Sequence, residues 1–464
     1  MNKPNILFII TDDQRFDTIH ALGCDIKTPE LDALVAEGSA FTHAHIPGGS
    51  VGAVCMPSRA MINTGRSMFH IDGCGEEINI SHTMIGETFK NAGYHTHGIG
   101  KWHNGTNSYA RNFTGGANIF FGGMWDHWNV PVCDYHADGL YENKIRYTDN
   151  FIFSNKIREQ HCDRINAGIH STELLSGAAI DFINNYDSEK PFYLNVCFLA
   201  PHDPRTMPDK YKNMYKPEDM AVPVNFSPMH FIDYGESKGR DEVLAKYPRT
   251  PEEIKQHLAD YYAMISHLDE WVGNIIGALK QKGLYENTII VFTADNGLAV
   301  GQHGLMGKQN LYDHSVRIPL IFSGPGIPKG KRFSQYAYLF DIYPTLCELC
   351  GIEIPISVEG KSIMPVMQKG EAIRDTLYLA YKDKIRGVKT DRYKLLEYRA
   401  ENISKTQLFD LTNDPAEMDD LSKNPEYENI KTELTDLLIG YNKEWDDEKH
   451  IVGKGFWEKY ARQP

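Results

Sequence analysis

Two pairs of oxygen-bearing residues in this chain sit where a metal ion could use them. Asp12 and Asp13 follow the apolar run NILFII, and Asp295 and Asn296 follow TIIVFTA. One such pair alone is commonly a helix cap or a turn. Two pairs after two apolar runs carry more weight, because open α/β sheets bind ligands beyond the carboxyl ends of their strands. Three carboxylates and an amide are hard oxygen donors suited to Ca²⁺ or Mg²⁺. GIGKWHNG adds Lys101 and His103, whose i, i+2 spacing lets both face one side of an extended chain. FLAPHDP adds His202 between two stiffening prolines. GQHGLMGKQNLYDHS adds His303 and Lys308, and VCMPSRAMINTGR adds Arg59. Singly, such residues are more often structural. Together they describe a site for a tetrahedral oxyanion ester. The ion and cations would stabilise the transferring group, and histidines would supply acid and base.

That set has no comfortable nucleophile. Cys55 is the residue left over, open to reading as a buried thiol, a nucleophilic thiolate or a metal ligand. A thiolate beside Asp12, Asp13 and Asp295 is electrostatically awkward unless a metal offsets them. It is also a soft ligand in a hard-oxygen site.

The elements that must position these residues are legible as near-continuous apolar runs. NILFII, THGIG, FYLNVCFLA, TIIVFTA and PLIFSG read as strands buried on both faces of a largely parallel sheet. TPELDALVAEGSAF reads as a helix with Thr28 at its N-cap and Pro29 at its first position. TMIGETFKNAGY reads as a helix stopped by Gly93, and a long amphipathic helix runs from Pro251 to near Gly283. Alternation of the two types predicts an α/β fold, a large mostly parallel central sheet flanked by helices. After about residue 365 the pattern becomes short antiparallel strands, then QLFDLTNDPAEMDDLSKNP as a loop, then one final helix. The expected division is a catalytic α/β domain over 1–365 and a smaller C-terminal α+β subdomain with a short antiparallel sheet over 366–464. The stretch 105–165, rich in Gly, Asn, His and Trp, reads as long loops over the sheet edge.

Composition excludes some classes. The 464 residues carry a formal charge of −14, which argues against a nucleic-acid partner. No run approaches a membrane span. MNKPNILFII leads straight into TDDQ and reads as a first strand rather than a signal peptide. Taken literally, the chain is expected to be cytoplasmic; a leader removed beforehand would make it periplasmic or secreted. Among eight cysteines, only Cys347 and Cys350 form a C-x-x-C, read as two small core residues rather than a metal or redox pair.

The motifs resemble those of the type I sulfatases of the alkaline-phosphatase superfamily. The signature Cys-x-Pro-Ser-Arg stands as Cys55, Met56, Pro57, Ser58 and Arg59, with TGR closing the next helical turn. GYHTHGIGKWH, TDDQ, TADNG, GLMGKQNLYDHSVRIPLI and LFDLTNDPAEMDDL match further family segments, so the resemblance spans residues 4 to 425. It implies that Cys55 is oxidised to Cα-formylglycine by a maturation enzyme that reads Cys-x-Pro-x-Arg. One hydroxyl of the hydrated aldehyde would attack sulfur, and the second would let the sulfated intermediate collapse and release sulfate. By position, Asp12, Asp13, Asp295 and Asn296 would ligate calcium, with magnesium the lesser expectation and residue 55 beside the ion. Arg59 and Lys101 would hold residue 55 and a sulfate oxygen. His103 would be the base for collapse. His202 and Lys308 would contact the bridging oxygen, with His202 the acid, and Gln14 is a further metal or sulfate contact. Met56 and Asn63 depart from the family's usual small and apolar choices.

The resemblance also implies a sulfate ester as substrate. GGMWDHWNV offers Trp125, His127 and Trp128 to a sugar face. Arg15, His20, His70, Asp72, Arg205, His230 and His314 lie near signature segments and would suit a second anionic group such as a uronate carboxylate, and His303 is a further expected substrate contact. The expected substrate is a sulfated sugar of glycosaminoglycan or algal type, with a uronate 2-O-sulfate one candidate. Two alternatives remain, a phosphodiesterase or phosphonate monoester hydrolase of the same superfamily and an unmatured binder of sulfated glycans.

Overall fold

The computed structural model describes residues 3–148 and 154–462. The first two residues of the N-terminal run, residues 149–153 of the stretch read as loops, and the last two of the C-terminal part lie outside the described residues. An eight-stranded sheet organises the chain. Its strands are β1 (Asn5–Thr11), β2 (Gly38–Phe41), β3 (His95–Lys101), β4 (Gly115–Phe120), β5 (Phe192–Cys197), β6 (Thr288–Ala294), β7 (Leu320–Ser323) and β8 (Lys331–Phe333). The spatial order is β8-β2-β7-β6-β1-β5-β3-β4. Only β7 runs against its neighbours. All five apolar runs are strands of this sheet, and the mostly parallel α/β expectation holds.

Side chains of β1 alternate between two apolar clusters. Ile6, Phe8 and Ile10 enter one with the C-terminal part of the chain. Leu7 and Ile9 enter the other with the helices of the opposite face. This period of two on a strand covered on both sides is why the run is continuously apolar.

The helices that matter here are α1 (Pro29–Glu37), α2 (Cys55–Thr64), α3 (Ile85–Asn91), α4 (Ser171–Asn184), α5 (Pro251–Gln281) and α6 (Ile342–Leu349). Two readings of α1 are corrected. Thr28 makes no side-chain cap; the carboxylate of Asp269 on α5 accepts from the free amides of Glu30 and Leu31, at 3.1 and 2.8 Å. The GSAF taken as its last turn is β2. There Gly38 lies so close to the β7 backbone that a Cβ would stand 2.1 Å from the Phe322 carbonyl oxygen. The loop reading of 105–165 is also corrected, since that stretch contains a short helix (Thr106–Asn112), edge strand β4 and smaller strand pairs. Helix α6 carries Cys347, and both cysteines of the C-x-x-C are buried free thiols, as expected of core residues.

The C-terminal sheet comprises β9 (Thr376–Tyr381), β10 (Ile385–Thr390), β11 (Tyr393–Ala400) and β12 (Ile403–Asp410). Gly48–Gly49 adds a fifth strand beside β9, and one apolar cluster runs through both parts of the chain. Residues 407–410, read as loop, end β12. Two helices close the chain, α7 (Glu428–Glu444) and α8 (Ile451–Arg462), where one was expected. Among the described residues no helix is long and apolar enough to cross a membrane.

Asp447, between those helices, fastens them to the sheet. It is fully buried and accepts from Arg386 Nε and Nη2 at 2.5 and 2.9 Å, from the Tyr378 hydroxyl at 2.6 Å and from Trp457 Nε1 at 2.8 Å. Burial alone would raise its pKa, but Arg386 and the added donors overcome this and hold it below the ordinary range. Its stabilisation is therefore complete above the unfolded value near about 3.9 and is lost as pH falls through the lowered folded value. Asp447→Ala strands a buried guanidinium and is expected to cost about 3–5 kcal/mol in urea unfolding at neutral pH. A loss below about 1 kcal/mol would show that the pair does not hold this end.

Candidate active site

The site forms because β3, β5, β1 and β6 are neighbours whose carboxyl ends line up. Gly100 pairs with Cys197, Cys197 with Ile10, and Thr11 with Ala294. The next residues therefore leave the sheet side by side. The amide of Asp295 donates to the Thr11 carbonyl, and that of Asp12 donates to the Ala200 carbonyl. Asp12, Asp13, Asp295 and Asn296 are all buried at this rim. Asp13 sits at φ +66°, in the left-handed region that costs an ordinary residue energy and is tolerated best by Asp and Asn.

Helix α2 brings two groups at once. Cys55 is its first residue and Arg59 lies four further on, which puts both on one face. Pro57 fits because the first turn has no partner for its missing amide. The Arg59 guanidinium donates from Nε to Asp295 Oδ2 at 2.9 Å and from Nη1 to the Lys101 carbonyl at 2.9 Å. Asn63, the polar departure in this helix, is buried and donates to the Arg59 carbonyl at 2.8 Å, so its packing is satisfied.

Lys101 and His103 both reach Cys55, though not through an extended chain. His103 turns at φ +67°. Its Nδ1 lies 3.5 Å from Cys55 Sγ, and Lys101 Nζ lies 3.6 Å from the same sulfur while pairing with Asp12. Gly123 makes room for this turn, since a Cβ there would meet the His103 ring at 2.9 Å. Lys308 donates to Asp13 Oδ1 at 2.6 Å, and Asn296 Nδ2 donates to the same oxygen at 2.6 Å. His202 places Nε2 3.6 Å from Asp13 Oδ2, and its Nδ1 donates to the Asp203 carbonyl at 2.8 Å.

Three carboxylates thus meet three cations in a buried site. Burial would raise Asp12, yet Lys101, His202, Arg59 and Lys308 overcome it and leave its pKa below the usual range. Asp295 is pushed up to about 6 by burial and by the neighbouring Asp12 charge. Burial raises the Cys55 thiol, which Lys101 and Lys308 only partly offset. The thiol is therefore neutral and a poor nucleophile. His202 is pushed down to about 4 by burial despite Asp13, and His103 falls well below its ordinary value for the same first cause.

The donor set fits a hard cation. Asp12 Oδ1 and Asn296 Oδ1 are buried without hydrogen-bond partners, as is Gln14 Oε1. Ligand atoms of Asp12, Asp13 and His202 lie within 4.8 Å of one another, as do those of Asp12, Cys55 and Asp295. Oxygen acceptors left bare inside a protein call for a cation or water. The sulfur of Cys55 is the one soft member.

A cavity of about 260 Å³ opens on this cluster, lined by Cys55, His103, His202 and Lys308 among others. The other sequence candidates fall elsewhere. Arg15 is buried, bonded to Asp17 and stacked on Tyr261, and Arg205 lies over the same ring with Nε and Nη2 unpaired. His303 stacks on Tyr312 with centroids 4.0 Å apart, and His314 and His230 also pack against that ring. Trp125 packs on Tyr147, and His127 is buried behind His202. Neither His20, His70, Asp72 nor Trp128 lines the cavity. Gln14 stays at the carboxylate cluster, its amide donating to Thr18. Sequence reasoning missed the cavity's outer wall: Gly123, Met124, Glu236, Arg240, Asp241 and Gln309. Met124 adjoins the tryptophan it was passed over for. Residues 236–241 belong to no element whose periodicity would single them out. Arg240 is held by Asp203 and by Asp241, the latter at 2.6 Å.

Comparisons with known proteins agree with this geometry. The profile of the sulfatase family matches residues 4–352, and that of the N-sulphoglucosamine sulphohydrolase C-terminal region matches residues 301–444. An arylsulfatase of Clostridium perfringens is 31% identical over 467 residues, covering 94% of each chain. An N-acetylglucosamine-6-O-sulfatase of Bacteroides thetaiotaomicron is 26% identical, covering 96% of this chain and 87% of the other. A solved structure in complex with its substrate D-glucosamine-2-N,6-O-disulfate shares the fold, with a TM-score of 0.79 at 22% identity and coverage of 97% and 99%. On the extent of the family match and the identity over nearly its whole length, the chain belongs to the type I sulfatases of the alkaline-phosphatase superfamily.

Proposed function

We propose that this sulfatase hydrolyses sulfate esters of carbohydrates, of the glycosaminoglycan or algal-polysaccharide kind. The observation that carries the reading is the single cavity in which residue 55, His103, His202 and Lys308 meet above the buried carboxylates. Relatives that act on N-acetylglucosamine-6-O-sulfate and on ulvan support a sugar substrate. The cavity wall supports one as well. Its guanidinium, Arg240, is already paired with two carboxylates, so the wall offers donors and acceptors suited to sugar hydroxyls more than a site for a second anion. Arg15, His20, His70, Asp72, Arg205, His230 and His314, on which the uronate expectation rested, lie outside the cavity lining.

Asp12, Asp13, Asp295 and Asn296 would hold a calcium ion, which supplies charge stabilisation for the sulfate oxygens. Converted to Cα-formylglycine by a maturation enzyme, residue 55 supplies an oxygen nucleophile in place of the inert thiol. With residue 55 only 2% exposed, that conversion would act before the chain closes over α2. Arg59 and Lys101 fix residue 55 and its carboxylate neighbours in place. His103, with Nδ1 3.5 Å from Cys55 Sγ and its pKa lowered by burial, would take the proton of the second hydroxyl at this position as the sulfated intermediate collapses to aldehyde and free sulfate. Lys308, bonded to Asp13 and lining the cavity, would contact the ester oxygen. The free site holds His202 neutral. A bound anionic ester would oppose the effect of burial and favour the protonated ring, which would pass its proton to the leaving alcohol.

Cys55→Ala is expected to abolish sulfate release while fold and Ca²⁺ binding persist; substantial turnover of a sugar sulfate by that variant would sink the mechanism. His202→Ala should lower kcat on sugar sulfates more than on aryl sulfates, because a phenolate leaves with less help from an acid. Equal losses on both would count against His202 as the acid. Ca²⁺ at about 100 times its dissociation constant should add about 2.7 kcal/mol of stability, read as a rise in thermal midpoint. Asp13→Asn should weaken that rise, and an unchanged rise would put the ion elsewhere.

A further inference from the structure

His127 was expected to touch substrate, yet it is 1% exposed and faces the back of the loop that carries His202. Its Nε2 donates to the backbone carbonyl of His202 at 2.9 Å. Its Nδ1 accepts from the Ser171 hydroxyl at 2.6 Å, and its own carbonyl accepts from the Ser171 amide at 2.7 Å. A second imidazole lies flat against it: His170, with ring centroids 5.0 Å apart and planes 5° from parallel. His170 Nδ1 accepts from the Thr172 amide at 3.2 Å, and its Nε2 donates to the Thr206 carbonyl at 2.9 Å. Two stacked rings at the start of α4 therefore hold the carbonyls of residues 202 and 206, one at each end of a short loop. Burial keeps both imidazoles neutral, His127 down to about 4. Each ring thus has one donor and one acceptor nitrogen, and both are used.

The loop that carries His202 is held from behind through its backbone carbonyls. The ring of His202 is oriented by its Nδ1, which donates to the Asp203 carbonyl at 2.8 Å and lies 3.4 Å from the Asp203 carboxylate. That carbonyl is the one directly after the carbonyl His127 holds, so the placement of this two-residue backbone segment sets the position of Nε2. A shift of about 1 Å at such a group costs up to about 100-fold in rate.

We propose that His127 is a positioning residue for His202: its Nε2–H holds the His202 carbonyl and so aims the His202 ring at the ester oxygen, with His170 bracing the same loop at Thr206. This rests on His202 acting in the cavity as described above. The test compares His127→Gln with His127→Asn in the full-length matured enzyme. Gln places an amide N–H near the position of Nε2. Asn reaches only as far as Nδ1, which keeps the Ser171 contact and loses the one to His202. Both are read with a sugar sulfate and an aryl sulfate, beside thermal midpoint and Ca²⁺ binding as checks of structure.

His127→Asn is expected to lower kcat on the sugar sulfate by at least about tenfold, with KM changed less than about twofold and aryl sulfate turnover little affected. His127→Gln should recover most of the loss. In a His202→Ala background, His127→Asn should cost almost nothing further, since the group it aims is gone. Equal activity of the Gln and Asn variants, or additive losses in the double variant, would overturn the proposal. The double variant keeps the two readings apart. If His202→Ala slows both substrates alike, His202 is not the acid, but a vanishing effect of His127→Asn in that background still supports positioning.

Discussion

Three carboxylates buried at the ends of two adjacent strands are the constraint around which this protein is built. Asp12, Asp13 and Asp295 are 2% exposed or less. Charges so desolvated are tolerable only if opposite charge is brought to them. The chain brings it from three remote segments: Lys101 from the end of β3, Arg59 from α2, and Lys308 from the loop after β6. Each contact is also a tether. The cations that make the carboxylates tolerable pin the surrounding loops, and one of them, Lys308, also lines the cavity. Electrostatic stabilisation of the fold and preorganisation of the site are one arrangement.

A second ring of charge extends this order outward. Asp313, five residues beyond Lys308, is buried and accepts from Lys389 and Lys394 of the C-terminal sheet, and Lys394 also bonds Glu417 at 2.6 Å. The Asp313 amide donates to Glu417 at 2.8 Å. Burial would raise Asp313, but the two lysines overcome it and keep it ionised. The lysine loop is thus clamped to strands more than 70 residues later in sequence, which is how the C-terminal sheet bears on a cavity it does not line. Lys382 and Lys384 act similarly on Glu236 of the cavity wall.

Much of this was legible beforehand, for local reasons. Strands buried on both faces must be continuously apolar, so five strands of the main sheet were read directly. Residues that follow such strands fall at the sheet's carboxyl rim, so Asp12, Asp13, Asp295, Asn296 and His202 were placed together by position. Cys55 and Arg59 share a helix face through their spacing. The misses follow from the same logic. β2 and β4 are short, glycine-containing edge or near-edge segments whose strand character comes from neighbours rather than from their own pattern. The N-terminus of α1 is capped by a residue 241 positions from Thr28, which no local cap signal reveals.

The sequence by itself determined which chemistry was available: the oxygen donors, the cations, the histidines and the residue-55 signature are set by type and spacing, and short-range geometry places them at one rim. Only the tertiary structure decided which of the many basic and aromatic groups reach the cavity. Arg15, Arg205, His303 and Trp125 resemble ligand-binding residues in sequence but spend their contacts elsewhere, and Arg240 and Asp241, unremarkable in sequence, form its wall. His127 changed role altogether, from a surface contact to a support behind His202. The reason is physical: a side chain's chemistry belongs to the residue, but its direction and exposure depend on long-range packing, which a linear pattern of types does not encode.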